Sequence, residues 1–326
     1  MGKPNLLVIC PPDHYALRKL DAIRDSADIF VSNDIAELER HAPESDIVLF
    51  SGLTGASVPF EEIWRRGPNI EWVHSLATGV EKLLFPELID SPVPVTNARG
   101  VFKRSLAEFA VMGMLYFSKR VRRLVENQRA HRWDEFAVDW VFGKVMGVVG
   151  YGEIGRECAV LAKALGVKIF AARRQPELSK ADPIPDRIFA TSELKAMLEL
   201  SDVVLLAAPL TPETRHMIGD AEFGAMKSSA IVINVGRGPV IDEQALVRAL
   251  REKRLHGAAL DVFETEPLKP DHPFWEMDNV LISPHCTDRT RNPDWLELTM
   301  QCFIDNFNRY VRGEPLLNVV DKKAGY

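Results

Sequence analysis

The chain is short of everything that would place it in an oxidising or membrane setting. Its 326 residues include four cysteines, Cys10, Cys158, Cys286 and Cys302, with no paired spacing. That excludes a disulfide framework and a cysteine-based zinc site, so no metal is expected. No apolar run approaches the ~20 residues of a membrane-spanning helix. Met1-Gly2-Lys3-Pro4-Asn5-Leu6 lacks the apolar core of a signal peptide, and Leu6 stands where a myristoylation signal wants Ser or Thr. Lys322-Lys323-Ala324-Gly325-Tyr326 is no recognisable targeting address. The expectation is a cytoplasmic protein with no membrane partner. There is no basic excess either: a net charge of −6 argues against nucleic acid as a partner. Arg120, Arg122 and Arg123 read as a solvated helix face or subunit contact. Internal repeats and low-complexity tracts are absent.

What is present is a βα rhythm on a chain too long for one core, so two domains are expected. Short apolar runs at 6–10, 28–31, 46–50, 71–74 and 93–96 read as strands alternating with helical segments such as 15–26. After a long helical stretch over 105–128, strand-like runs return at 144–149, 167–171, 203–208, 230–235, 258–262 and 280–283. The last amphipathic stretch, 295–312, is read as folding back on the first domain. The fold class is α/β, with two doubly wound, parallel-sheet domains of Rossmann-like or flavodoxin-like type.

Between the run Lys144–Val149 and a helix-spaced segment ending at Gly166 lies Gly150-Tyr151-Gly152-Glu153-Ile154-Gly155. Glycine at these spacings between strand and helix is the dinucleotide fingerprint: a tight turn, a close approach to pyrophosphate, then close helix packing. The phosphates would sit at the helix's positive end. An NAD site wants an acidic residue about 20 positions on, at the end of the second strand. Arg173 and Arg174 stand there instead. Paired guanidinium groups suit a 2′-phosphate, so NADP(H) is expected in preference to NAD(H).

Three further strand ends carry chemistry. Asn234-Val235-Gly236-Arg237-Gly238 offers a cation with small neighbours, suited to a carboxylate or a polarised carbonyl, or to a surface ion pair. Asp261-Val262-Phe263-Glu264-Thr265-Glu266-Pro267 and Ser283-Pro284-His285 follow. A carboxylate from the first of these loops would orient the histidine and raise its pKa, making a general acid for carbonyl reduction and a base for the reverse.

These motifs, with Pro209-Leu210-Thr211-Pro212-Glu213-Thr214 and with Asn97 and Ala107-Glu108, occur in an order that closely resembles the D-isomer-specific 2-hydroxyacid dehydrogenases over nearly the whole chain. The resemblance implies a nicotinamide-dependent enzyme interconverting 2-oxo and D-2-hydroxy acids, with an active-site cleft between its domains. The family's catalytic arginine, glutamate and histidine fall on Arg237, Glu266 and His285. Glu266 matches because it directly precedes proline; Glu264 does not. Implied cofactor contacts are Gly150, Gly152, Glu153, Ile154, Gly155, Arg173, Arg174, Ala208, Pro209, Thr214, Val235, Gly236, Asp261 and His285, with Asp261 near the nicotinamide carboxamide. Implied substrate contacts are Leu53, Ala77, Thr78, Gly79, Arg237 and His285, the backbone N–H groups of the 76–80 loop holding the substrate carboxylate. The implied layout is a substrate domain of residues 1–99 and 288–326 around an NADP domain of residues 100–287. A homodimer is implied through the helix before the fingerprint. Trp133 and Trp140 read as core or, for Trp140, as reaching a partner's active site.

The Arg174-Gln175-Pro176 run is similar to the glyoxylate/hydroxypyruvate reductase branch, so small 2-oxo acid substrates of that kind are favoured. Glu266 argues against formate oxidation, because formate dehydrogenases of this type resemble the pattern with glutamine there. A dinucleotide-sensing corepressor-like protein on the same fold is the alternative, and the Arg237, Glu266, His285 set argues for the enzyme. Arg289 and Arg291 have two readings, a receptor for an acidic substrate tail or interdomain ion pairs; Cys286 reads as a space-filler.

Overall fold

The computed structural model describes residues 2–52 and 59–326. The chain forms two compact units, Met1–Val101 with Arg289–Tyr326, and Phe102–Asp288.

The first unit begins with β1 (Asn5–Ile9), β2 (Asp28–Ser32), α1 (Ile35–His41), β3 (Ile47–Phe50), α2 (Phe60–Arg66), β4 (Trp72–Ser75), α3 (Pro86–Asp90) and β5 (Val95–Asn97). The second unit follows with α4 (Lys103–Ser118), α5 (Val121–Arg129), β6 (Val145–Val149), α6 (Glu153–Ala164), β7 (Lys168–Arg173), β8 (Arg187–Ala190), α7 (Leu194–Leu200) and β9 (Val203–Leu206). It is completed by α8 (Asp220–Ala225), β10 (Ile231–Asn234), α9 (Glu243–Arg251), β11 (Gly257–Leu260) and β12 (Val280–Ile282), after which α10 (Trp295–Val311) belongs to the first unit again.

All strand pairs are parallel. The first sheet runs β2-β1-β3-β4-β5 and the second β12-β11-β10-β9-β6-β7-β8. Each sheet is buried on both faces, which is why its strands read as continuous apolar runs. In the first, Leu6, Val8, Ile47, Leu49 and Trp72 face α10 through Met300, Phe303 and Phe307, while Leu7, Ile9, Val48, Val73 and Val95 face Leu38, Phe60, Ile63 and Leu88. Phe303 stacks on Trp72 with ring centroids 5.3 Å apart. The chain after α10 then lies along β5, with Val320 N–H donating to Val95 O at 2.8 Å and Asn97 N–H to Asn318 O at 3.3 Å.

Three local expectations differ from the structure. The 105–128 stretch is not one helix: Arg120 takes a left-handed φ of 51° and separates α4 from α5. The bend is offset by Arg122, which reaches Asp278 Oδ1 at 2.9 Å and the Val280 carbonyl at 3.3 Å. Tyr15–Ile23 is a 3-10 helix. The edge strand β8 has no sequence counterpart in the reading above, because four residues between Pro185 and a short 3-10 turn show no usable period.

Strand order reverses on either side of β6, and at such a switch point the connections leave a crevice beyond the carboxyl ends of the strands. Gly155 sets how close α6 lies to β6: a Cβ there would be 2.3 Å from Gly150 O and 2.9 Å from Val148 Cγ1. Gly155→Ala should therefore cost about 1–3 kcal/mol through overpacking. Thermal denaturation of the cofactor-free protein checks this, and an unchanged midpoint would rule out the close packing as a constraint.

Candidate functional site

The dinucleotide loop is built by backbone geometry. Gly150 has φ 90°, and a Cβ on it would lie 2.5 Å from Ala208 N. That close contact joins the ends of β6 and β9. Gly152 caps α6 from an extended conformation with nothing within 4 Å of where its Cβ would be. The first N–H groups of α6 have no intrahelical acceptor, and the open space over Gly152 fits a pyrophosphate. Glu153 and Ile154 open the helix, and Glu153 Oε2 pairs with Lys103 Nζ at 3.1 Å. Across the switch point, Gly236 also needs to lack a side chain: its Cβ would meet Ala208 O at 2.8 Å. Ala208 and Val235 are buried beside it and Pro209 is partly so. The residues present therefore fit a dinucleotide.

Arg173 is the last residue of β7 and is half-buried, its Nη1 donating to Ser179 Oγ. Arg174 is exposed; Glu213 is held below its ordinary pKa by Thr211 Oγ1 first, with the Arg174 charge contributing. The Thr214 hydroxyl is engaged inside its own turn, on Pro209 O at 2.7 Å and as acceptor from Thr211 N–H at 2.8 Å.

The chemistry-bearing loops converge at the ends of β10, β11 and β12. Arg237 follows β10, and its Nη1 donates to Gly236 O at 2.9 Å. The next residue decides how near this loop comes to its neighbour. A Cβ on Gly238 would lie 1.9 Å from Phe263 C and O, so only glycine permits the approach. Glu266 is in the neighbouring loop. Its Oε1 accepts from Phe263 N–H at 3.0 Å and its Oε2 is 2.6 Å from His285 Nδ1. Glu264 points elsewhere, to His216 Nε2 at 2.7 Å and to Glu243 N–H at 3.3 Å. Of the two glutamates, Glu266 is the one in contact with His285.

His285 lies just beyond β12 with φ 49°, a left-handed conformation that a non-glycine residue keeps only when its surroundings hold it. Asp261, 1% exposed, is what holds it. One carboxylate oxygen accepts from Ser283 Oγ at 2.6 Å, Cys286 N–H at 3.1 Å and Thr287 N–H at 3.4 Å; the other accepts from Thr287 Oγ1 at 2.5 Å. The turn carrying His285 is thereby fastened on both sides of the ring. Sequence reasoning placed Asp261 near a cofactor amide and missed this anchoring. The available signal was an acid at one strand's end and Ser-Pro-His at the end of the next.

The contact between His285 and Glu266 moves both groups. For His285 the hydrogen bond to Glu266 outweighs burial, and the charges of Glu266, Asp261 and Asp288 add to it, so its pKa lies above the usual imidazole value. For Glu266 burial pushes upward, but the His285 bond, the Phe263 N–H and the charges of His285 and Arg237 outweigh it, and the net direction is down. With Nδ1 committed to a carboxylate, Nε2 is the ring nitrogen left to give or take a proton.

In the first unit, Ala77, Thr78 and Gly79 follow β4. Asn97 Nδ2 donates to Thr78 O at 2.6 Å, and Ala98 N–H donates to Ala77 O at 3.2 Å. Leu53 lies outside the described residues. The Arg289 guanidinium sits 5.7 Å from the Trp295 ring centroid, and Cys286 is exposed. Trp133 and Trp140 are 94% and 75% exposed, so neither is core of this chain. Among the described residues, no group of three or more His, Cys, Asp or Glu is placed to hold a metal, and no helix is long and apolar enough to cross a membrane.

Comparison with known proteins bears on the same elements. Residues 111–287 match the family model described as D-isomer specific 2-hydroxyacid dehydrogenase, NAD binding domain. A protein of Salmonella newport (strain SL254) named glyoxylate/hydroxypyruvate reductase B is 34% identical over 284 residues, covering 84% of this chain and 85% of its own length. A Korarchaeum cryptofilum (strain OPF8) protein named glyoxylate reductase is 33% identical over 277 residues, 81% of this chain and 80% of that one. Among solved structures, a probable 2-hydroxyacid dehydrogenase from Rhizobium etli CFN 42, in complex with NADP, HEPES and L(+)-tartaric acid, superposes with a TM-score of 0.83 at 27% identity over 100% of both chains. On sequence, on both parallel sheets and on its dinucleotide loop, the chain belongs to the D-isomer-specific 2-hydroxyacid dehydrogenase family, oxidoreductases that use a nicotinamide dinucleotide.

Proposed function

We propose that this 2-hydroxyacid dehydrogenase is an NADP(H)-dependent reductase of small 2-oxo acids of the glyoxylate and hydroxypyruvate kind. The observation that carries the reading is the 2.6 Å contact between His285 Nδ1 and Glu266 Oε2, beside a loop that brings Arg237 close enough for its charge to act on Glu266. The names of the relatives, glyoxylate reductase and glyoxylate/hydroxypyruvate reductase B, support the substrate class. For the cofactor, the support is Arg173 at the end of β7 together with the NADP complexes of similar structures, including an NADPH-dependent glyoxylate/hydroxypyruvate reductase of Sinorhizobium meliloti.

In this reading the bound nicotinamide supplies hydride to C2 of the substrate, or takes it in reverse. His285 Nε2 donates the proton that the developing alkoxide oxygen needs. Glu266 stays ionised throughout and stabilises the imidazolium, while Arg237 polarises the carbonyl oxygen and pairs with the carboxylate. Gly150, Gly152, Gly155, Glu153 and Ile154 form the pyrophosphate cradle, and Ala208, Pro209, Thr214, Val235 and Gly236 line the cofactor's path. Asp261 keeps the His285 turn in place, so the ring is ordered before substrate arrives.

Turnover of a panel of 2-oxo acids, followed by nicotinamide absorbance with NADPH and with NADH, tests the function. The expected result is reduction of glyoxylate or hydroxypyruvate with kcat/KM at least about tenfold higher for NADPH. Equal use of both cofactors would refute the role given to Arg173 and Arg174. No turnover of any 2-oxo acid would favour the dinucleotide-sensing alternative.

The pH profile tests the pair. A raised pKa keeps His285 protonated to higher pH, so reduction persists up to that pKa and is lost above it, while oxidation of the hydroxy acid shows the opposite limb. Glu266→Gln removes the charge partner, and the reductive limb should move to lower pH by about one unit or more. A limb that stays in place would show that Glu266 does not set the protonation of His285.

A further inference from the structure

The loop after β7 contains a polar clasp that has no part in the chemistry above. Its centre is Asp182, whose side chain is 14% exposed. Asp182 Oδ2 accepts from the Tyr151 hydroxyl at 3.1 Å and from Arg156 Nε at 2.7 Å. Asp182 Oδ1 accepts from Arg156 Nη2 at 3.2 Å and from Ile184 N–H at 3.1 Å. Tyr151 stands between the first two glycines of the fingerprint, and Arg156 is in the first turn of α6. One carboxylate therefore ties the loop after β7 to the dinucleotide loop at two points.

The same residue is linked to Arg173 through Ser179. Asp182 N–H donates to Ser179 O at 3.0 Å, and Ser179, 3% exposed, accepts Arg173 Nη1 on its hydroxyl. The contacts run without a gap from the glycine loop, through Asp182 and Ser179, to the guanidinium at the end of β7. Tyr151 is raised in pKa by burial first and then by Asp182, and the charges of Arg156 and Arg173 oppose that rise.

An arginine that must grip a phosphate loses rotamer freedom when it does so, and holding it in advance removes that cost from binding. A bare carboxylate near the phosphate would work the other way by repulsion. Here the bidentate pair with Arg156 balances the charge of Asp182, so the loop gains an anchor without presenting a free anion.

We propose that Asp182 is a positioning residue for cofactor choice: by clasping Tyr151 and Arg156 and, through Ser179, the segment beside Arg173, it sets that guanidinium for a ribose 2′-phosphate. The inference rests on the NADP(H) reading of Arg173, and the variants separate the two. Affinities for NADPH and NADH are measured by fluorescence titration of the full-length protein, alongside kcat and KM for each. Asp182→Ala should weaken NADPH about tenfold in Kd and in KM, with a much smaller change for NADH and for kcat. Asp182→Asn keeps one acceptor oxygen, for the Ile184 N–H, and places an NH2 group that the Tyr151 oxygen can accept from at the other position, so it should recover part of the loss. Tyr151→Phe removes only the phenol hydroxyl and should give a smaller loss of the same sign, and it decides the matter if Asp182→Ala does not fold. Equal weakening of both dinucleotides, or none, would overturn the proposal. If Arg173→Ala leaves the NADPH/NADH ratio unchanged, the NADP(H) reading fails and this inference with it. If Arg173→Ala abolishes the preference while the Asp182 and Tyr151 variants retain it, the positioning role alone fails.

Discussion

His285 meets Glu266 because two other residues bring their loops to the right place. The histidine's turn extends from β12 in a left-handed conformation that it would not keep alone, and Asp261, buried at the end of β11, accepts hydrogen bonds from residues on both sides of it. The Arg237 loop after β10 lies against the Phe263–Glu264 backbone, an approach that any side chain at Gly238 would block. A carboxylate and an imidazole at 2.6 Å are thus held by three adjacent parallel strands and not by contacts within one loop. The pair is about a third exposed, so a surface ion pair of the same kind would contribute little. Its value in this account lies in proton affinity.

The rest of the second unit follows from the same strand-end logic. A parallel sheet covered on both faces has its free polar backbone at the strand ends, and the reversal of order at β6 leaves room there. The glycines at 150, 155 and 236 are required by contacts of 2.3–2.8 Å that a Cβ would make, mostly with backbone. Gly152 is different, since space and not contact surrounds it. The first three fit the protein to itself, and the last leaves room for a ligand.

Much of this was legible in the sequence because parallel strands buried on both faces are apolar throughout and end abruptly. That made the strand ends visible, and with them Gly150, Arg237, Glu266 and His285. The preference for Glu266 over Glu264 came from the family resemblance, in which the acid directly precedes proline; in the structure Glu264 contacts His216 Nε2 and the Glu243 N–H. What escaped depends on contacts between distant segments. The resemblance singled out Asp261 only as a cofactor contact, and Asp182 looks like an ordinary loop acid; only the fold brings Thr287 to one and Tyr151 to the other. The break at Arg120 escaped because both flanking segments have good helical spacing, and the contact of Arg122 with β12 is tertiary. Trp133 and Trp140 read as core or, for Trp140, as reaching a partner's active site, and their exposure rules out the core of this chain.

The central claim is that Glu266 holds His285 protonated beyond the usual imidazole range. The most direct measurement is an NMR titration of the His285 ring in the cofactor-free protein, compared with Glu266→Gln. The account predicts a His285 pKa above the reference of about 6.5 and a fall in the variant toward or below it. A His285 pKa at or below that reference in the unaltered protein, or one that Glu266→Gln leaves in place, would contradict it.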